Sequence, residues 1–193
     1  PAVLLLHMLG SNRTAWQPLI DPLLNAGFNV LAIDMRGHGE TGGSRDWDAA
    51  ETDIQLAMNW LYSQPEVRQG SVSIVGGSIG SNMALIGCAN DPDCVTAIAL
   101  SPGLDYSGVM PEESVVSGLA ERSALLVGSR NDGSVQETIL QMATNASGEI
   151  GLHLYAGRVH GTNLLTSEEN LNELIVDWLT QHMPPLDDAA EPT

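Results

Sequence analysis

The 193-residue sequence contains no lysine: its seven basic side chains are all arginines, set against 24 aspartates and glutamates. A P-loop places a lysine on the nucleotide phosphates, so the stretch GGSIGSN, residues 76–82, cannot hold a nucleotide in that way. Lysine Schiff-base chemistry is excluded for the same reason, and the stretch lacks the G-x-G-x-x-G spacing of a dinucleotide fold. The formal net charge of −17 repels phosphate backbones and anionic lipid, which argues against nucleic-acid and membrane-surface partners. Its plainest reading is solubility or adaptation to salt. Apolar runs long enough to span a membrane are missing, so no membrane insertion is expected. Cysteine is scarce: Cys88 and Cys94, in CANDPDC, are the only two. Their spacing fits a loop-closing disulfide in an oxidising compartment or two ordinary thiols in a reducing one. Cytoplasmic and extracytoplasmic locations therefore both stay open. No cluster of His, Cys and Glu has ligand spacing, so neither a metal nor another cofactor is expected. The chain opens at Pro1 just before an apolar run, so its start reads as a processed end, an artificial boundary or a fragment.

What is present is strand–helix alternation. Six short, β-branched-rich runs punctuate the chain: AVLLLH from Ala2, NVLAID from Asn29, VSIVGG from Val72, VTAIALS from Val95, ALLVGS from Ala124 and LHLYAG from Leu152. Most are continuously apolar, as expected of strands buried on both faces of a parallel sheet. Between them, Ile54, Ala57, Met58 and Leu61 form one helical stripe. Toward the end, Thr166 and Glu169 read as a capping box that opens a last helix with Leu171, Leu174, Ile175, Trp178 and Leu179 on its apolar face. The pattern predicts one α/β domain over residues 1–185, a doubly wound, mostly parallel sheet of about six strands flanked by helices. The tail 186–193, LDDAAEPT, reads as disordered.

Ligands in such sheets sit beyond the carboxyl ends of the strands. After the third run the chain reads Gly76-Gly77-Ser78-Ile79-Gly80, a G-x-S-x-G nucleophile elbow between strand and helix. Gly76 and Gly80 remove side chains that would clash in so sharp a turn, and the Ile79 N–H points at any oxyanion that forms on attack by Ser78. A serine nucleophile needs a base, and five histidines are available. His7 and His38 precede the serine, His153 lies inside a strand pattern, and His182 ends a helix. His160 follows the last strand on a loop beside Gly161 and is the expected base. The acid that orients it follows a strand at the same end: Asp132 in SRNDGSV is preferred and Asp105 in SPGLDY competes. Asp34 comes before the serine and fits neither order.

Taken together, LLLHMLGSNRTAW, NVLAIDMRGHGETGG, GGSIG, SPGLDY, RND and VHGTNLL resemble the α/β-hydrolase superfamily, in particular its lidless serine esterases and dienelactone-hydrolase-like members. The resemblance assigns the second oxyanion donor to the N–H of Leu9, in a loop where Met8 replaces the usual glycine. It also implies that two leading strands of the family fold are absent, leaving NVLAID as an exposed edge. The segment between Ser101 and Ala124 is too short for a cap domain, so an open site is expected. The expected activity is cleavage of a small-molecule carboxylic ester, with short acyl groups preferred, through Ser78, His160 and Asp132 and an acyl-enzyme. Thioester and peptide cleavage are the alternatives within this chemistry. A non-catalytic binding module of the same fold is the alternative outside it. The oligomeric state stays open.

Overall fold

The computed structural model describes residues 1–183, and the expected tail 186–193 lies outside the described residues. Six strands form: β1 (Ala2–Leu6), β2 (Asn29–Ile33), β3 (Val72–Gly77), β4 (Cys94–Leu100), β5 (Ser123–Ser129) and β6 (Ile150–Tyr155). They make a single parallel sheet in the order β2-β1-β3-β4-β5-β6. The helices are α1 (Gln17–Asn25), α2 (Trp47–Tyr62), α3 (Ile79–Asn90), α4 (Val135–Asn145), the single turn α5 (Leu164–Ser167) and α6 (Leu171–His182).

The period-two alternation of a strand divides the apolar side chains between two cores. Ala2, Leu4 and Leu6 of β1 point to one face, into a core that also holds Ile54, Met58 and Leu61 of α2, Met83 of α3 and Ile139 of α4. Val3 and Leu5 point to the other, into a core shared with Leu19 and Leu23 of α1, Leu164 of α5 and Ile175 and Leu179 of α6. Both faces are covered by helices, which is why the strands read as continuous apolar runs.

Among the described residues β2 pairs only with β1, so it is the expected edge, and its first residue, Asn29, is exposed. Between Ser101 and Ser123 there is only the Tyr106–Val109 bridge and a π-helical turn, Ser114–Gly118; no cap domain is built there. Cys88 and Cys94 are joined in a disulfide between the end of α3 and the start of β4. The Arg122 guanidinium closes this corner by donating to the carbonyls of Cys88, Asp91 and Cys94. Among the described residues, no helix is long and apolar enough to cross a membrane.

Two local expectations are corrected. Thr166 and Glu169 do not cap α6: its N-cap is Asn170, without a side-chain cap bond. Thr166 lies inside α5 and donates from its hydroxyl to Asn163 C=O instead. The chain takes a separate turn there before α6 begins, so a matching four-residue spacing finds the wrong backbone. The last strand also starts and ends two residues earlier than LHLYAG. Ile150 and Gly151 pair with Ala124 and Leu125, and the chain turns away at Gly157, whose φ is +89°.

Candidate active site

At the carboxyl end of β3, Ser78 sits between strand and helix with φ +54° and ψ −124°. A side chain with a Cβ pays for that conformation in steric strain, and the surroundings hold it there. The Ser78 N–H donates to Leu100 C=O at 2.8 Å, and its own C=O accepts the Ser81 N–H at 2.8 Å and the Ser81 hydroxyl at 2.5 Å. The flanking glycines are dictated by space. A Cβ on Gly76 would stand 1.9 Å from Gly80 O, and one on Gly80 would stand 2.4 Å from Leu6 O. The turn is thus packed backbone to backbone against β1 and α3, and no larger residue fits either position. Ile79 and Gly80 begin α3, where the first N–H groups have no acceptor within the helix.

Two other loops meet Ser78. After β6, His160 is presented in extended conformation, and its Nε2 lies 2.8 Å from Ser78 Oγ. After β5, Asp132 places Oδ2 2.6 Å from His160 Nδ1. A carboxylate accepts, so Nδ1 carries the proton and Nε2 is free to accept from the serine hydroxyl. The Asp132 turn is fixed by its own backbone: its N–H donates to Ser129 C=O at 3.2 Å and its C=O accepts the Val135 N–H at 3.0 Å. Ser78 is 8% exposed, while the His160 and Asp132 side chains are 35% and 15% exposed. The serine is nearly enclosed but the imidazole still reaches solvent.

The other candidates lie elsewhere. Asp105 is exposed and accepts the Gly108 N–H at 2.7 Å. Asp34 is buried; burial alone would raise its pKa, but the Arg13 and Glu40 N–H groups and the Arg13 guanidinium outweigh this and hold it below the usual carboxylate value. His153 is a β6 side chain stacked near Tyr155, and His182 Nδ1 donates to Trp178 C=O at the end of α6.

His7, left without a role by sequence, is fully buried. Its Nδ1–H donates to Met8 C=O at 2.9 Å, and its Nε2 accepts the Met35 N–H at 3.0 Å. It therefore ties the loop after β1 to the chain leaving β2. Leu9, in that loop, is 46% exposed. Met8, which departs from the family glycine, finds room because residue 161 is a glycine. A Cβ there would meet Met8 Sδ at 3.0 Å and Ser78 Cβ at 3.5 Å.

Three further residues escaped the sequence reading. Asn82, fully buried on α3, donates to the carbonyls of Gly103 and Val109 and accepts the Gly103 N–H, shaping the loop after β4. That loop carries Tyr106, whose ring stands edge-on to His160 at 6.3 Å between centroids. Burial and the nearby Asp132 carboxylate push the Tyr106 phenol up to about 12. Ser101, directly after β4, is buried with φ +56°. A polar residue ending a strand directly before Pro102 was the available signal for it. Among the described residues, no group of three or more His, Cys, Asp or Glu side chains is arranged to hold a metal ion.

Known proteins share the fold that carries this geometry. A family profile described as alpha/beta hydrolase fold matches residues 1–127. An uncharacterised protein of Mycobacterium tuberculosis is 28% identical over all 193 residues, and the chain spans 49% of that protein's length. A pimeloyl-[acyl-carrier protein] methyl ester esterase of Neisseria meningitidis is 30% identical over 118 residues, covering 61% of this chain and 34% of the esterase. Among solved structures, an esterase of Pyrococcus furiosus superposes with a TM-score of 0.78 at 22% identity, covering 94% of this chain and 82% of the other. A dienelactone hydrolase of Anabaena variabilis gives 0.71 at 19% identity, covering 94% and 86%. At such identities the superpositions speak for the fold alone.

Proposed function

Since the chain belongs to the α/β-hydrolase family, we propose that it supplies the catalytic apparatus of a serine hydrolase acting on carboxylic esters. The observation that carries this reading is the continuous hydrogen-bonded row from Ser78 Oγ through His160 Nε2 and Nδ1 to Asp132 Oδ2, at 2.8 and 2.6 Å. In the proposed reaction Ser78 Oγ attacks the ester carbonyl carbon while its proton passes to His160 Nε2. Asp132 keeps the proton on Nδ1 and stabilises the imidazolium that forms. The Ile79 N–H, and the Leu9 N–H across the loop after β1, are the donors proposed for the oxyanion. The imidazolium then protonates the departing alkoxide as the carbon–oxygen bond breaks. Water, giving its proton to Nε2, attacks the acyl-enzyme and releases the acid with Ser78 restored.

A short acyl group is the proposed preference. The Ser101–Ser123 connection builds no cap over the site, so little apolar surface is available to enclose a long chain. The test is hydrolysis of p-nitrophenyl esters of increasing acyl length by the wild type and by Ser78→Ala. The reading predicts greatest kcat/KM at short acyl lengths and loss of turnover in Ser78→Ala with an unchanged melting temperature. Substantial turnover by Ser78→Ala would overturn the assignment of the nucleophile, and a maximum at long acyl chains would overturn the substrate class.

A further inference from the structure

The histidine proposed as base lies on a loop, yet the backbone on either side of it is tied to the sheet by a buried hydroxyl. On one side, Ser129 Oγ–H donates to Val159 C=O at 2.8 Å. On the other, Ser101 Oγ accepts the Gly161 N–H at 2.9 Å. Ser101 directly follows β4 and Ser129 ends the neighbouring β5, and both are 0% exposed. Ser101 is also held in place itself. Its N–H donates to Val127 C=O at 2.7 Å, and its C=O accepts the Tyr106 hydroxyl at 3.1 Å, so the ring that stands against His160 is pinned by the same residue.

Ser101 keeps a φ of +56°, a region that favours glycine, and a glycine there would relieve the strain. Packing alone does not call for a strained serine. Its hydroxyl has a partner 60 residues away in sequence, and that partner is the residue after His160. Strain of this kind persists where the surrounding structure over-determines it, and it gathers at functional sites.

We propose that Ser101 and Ser129 are positioning residues: the pair of buried hydroxyls brackets residues 159–161 and fixes the imidazole between Ser78 and Asp132. The inference rests on the reading of His160 as the base, and it deepens that reading by naming what holds the base in line. Neither serine touches substrate. Removing either hydroxyl lets the imidazole swing, and displacement of a reacting group by about 1 Å can cost on the order of 100-fold in rate.

The test uses the full chain with Ser101→Gly, Ser101→Ala and Ser129→Ala. Ser101→Gly is the informative variant, because its backbone adopts the native φ without strain and any loss comes from the missing acceptor. Two readouts are taken: kcat and KM on p-nitrophenyl acetate, and the downfield proton resonance of His160 Nδ1–H by NMR. The bracket predicts that kcat falls roughly tenfold or more in each variant with KM within about twofold, since the groups act on the reacting centre and not on binding. It also predicts that the Nδ1–H resonance shifts or broadens, while Ser101→Gly stays folded, relief of strain offsetting the lost hydrogen bond. An unchanged resonance in the variants, or its absence from the wild-type spectrum, overturns the bracket. So does a kcat within twofold of a wild type that turns over. If the wild type neither hydrolyses the ester nor reacts at Ser78, the proposed function fails, and the resonance alone still decides whether the serines hold the imidazole.

Discussion

Two of the serines at this site, Ser78 and Ser101, carry left-handed backbone that costs of order 1–3 kcal/mol each, and both are held by hydrogen bonds to neighbouring strands. The Ser78 turn was legible in the sequence because close backbone contact leaves a mark, a glycine two residues away on each side. Ser101 leaves no such mark, since its partner is 60 residues distant. The proposed choice of acid was half legible. Asp105 and Asp132 both follow strands at the same end of the sheet, and only the folded chain distinguishes them: Asp132 meets His160 Nδ1, while Asp105 caps its own turn at the Gly108 N–H. An amide at the orienting position keeps the shape and favours the wrong tautomer, at a loss of about 10⁴ in kcat in a protease triad. Asp132→Asn is therefore expected to lose several orders of magnitude in kcat with little change in melting temperature. Asp105→Asn is expected to change the rate by less than about tenfold, or about 1.4 kcal/mol of barrier. Steady-state kinetics on one activated ester checks both, and the reverse pattern would move the acid to the loop after β4.

At the scale of elements, the strands could be read from sequence because burial on both faces makes each one an unbroken apolar run, and the helical stripes followed from their period. Helix starts and strand registers were harder to read. The Thr166–Glu169 spacing matched a cap, yet the chain spends those residues on α5, and pairing with β5 pulls β6 two residues toward the N-terminus. The ties between elements were not legible at all, because they join polar residues far apart in sequence. His7 is the clearest case, joining the loop after β1 to Met35, 28 residues on. Burial lowers its pKa, outweighing the Met8 carbonyl, which raises it; His38 nearby lowers it and Asp34 raises it by less. The sign of the consequence follows. As pH falls below the ordinary histidine value of about 6.5, the unfolded chain takes up a proton that folded His7 resists, so stability is lost. Protonation would also place a hydrogen on Nε2, where the Met35 N–H already points. Urea denaturation at steps between pH 7.5 and 5 is expected to show wild-type stability falling below about pH 6.5. The pH dependence of His7→Asn should be flatter over the same window, and parallel curves for the two proteins would mean that His7 does not carry the loss.

Across the whole molecule, a formal charge of −17 with only seven arginines makes self-repulsion a general load on the folded state. The ion pairs of Arg13 with Asp34 and Glu40, and of Arg36 with Asp53, offset it locally. Of these, the pairs to Glu40 and Asp53 reach solvent and contribute little, which leaves Arg13 with buried Asp34 as the one that salt screens least, so salt removes less attraction than repulsion. Raising sodium chloride from 0.05 to 1 M shortens the screening length to about 3 Å. The melting temperature is expected to rise, with each 1 kcal/mol gained worth about 2–4 °C in a chain of this size. A fall in melting temperature would mean that ion pairs outweigh the net charge. The same fold that carries this charge brings the ends of β3, β5 and β6 to one point, where Ser78 is proposed to be an activated serine. A fluorophosphonate probe reacts with such a serine and with little else, so the decisive measurement is mass spectrometry of the intact and digested chain after treatment with it. One adduct per chain, mapped to Ser78 and lost or greatly slowed in His160→Gln, is the expected result; an unmodified Ser78, or an adduct that forms equally well in His160→Gln, would contradict it.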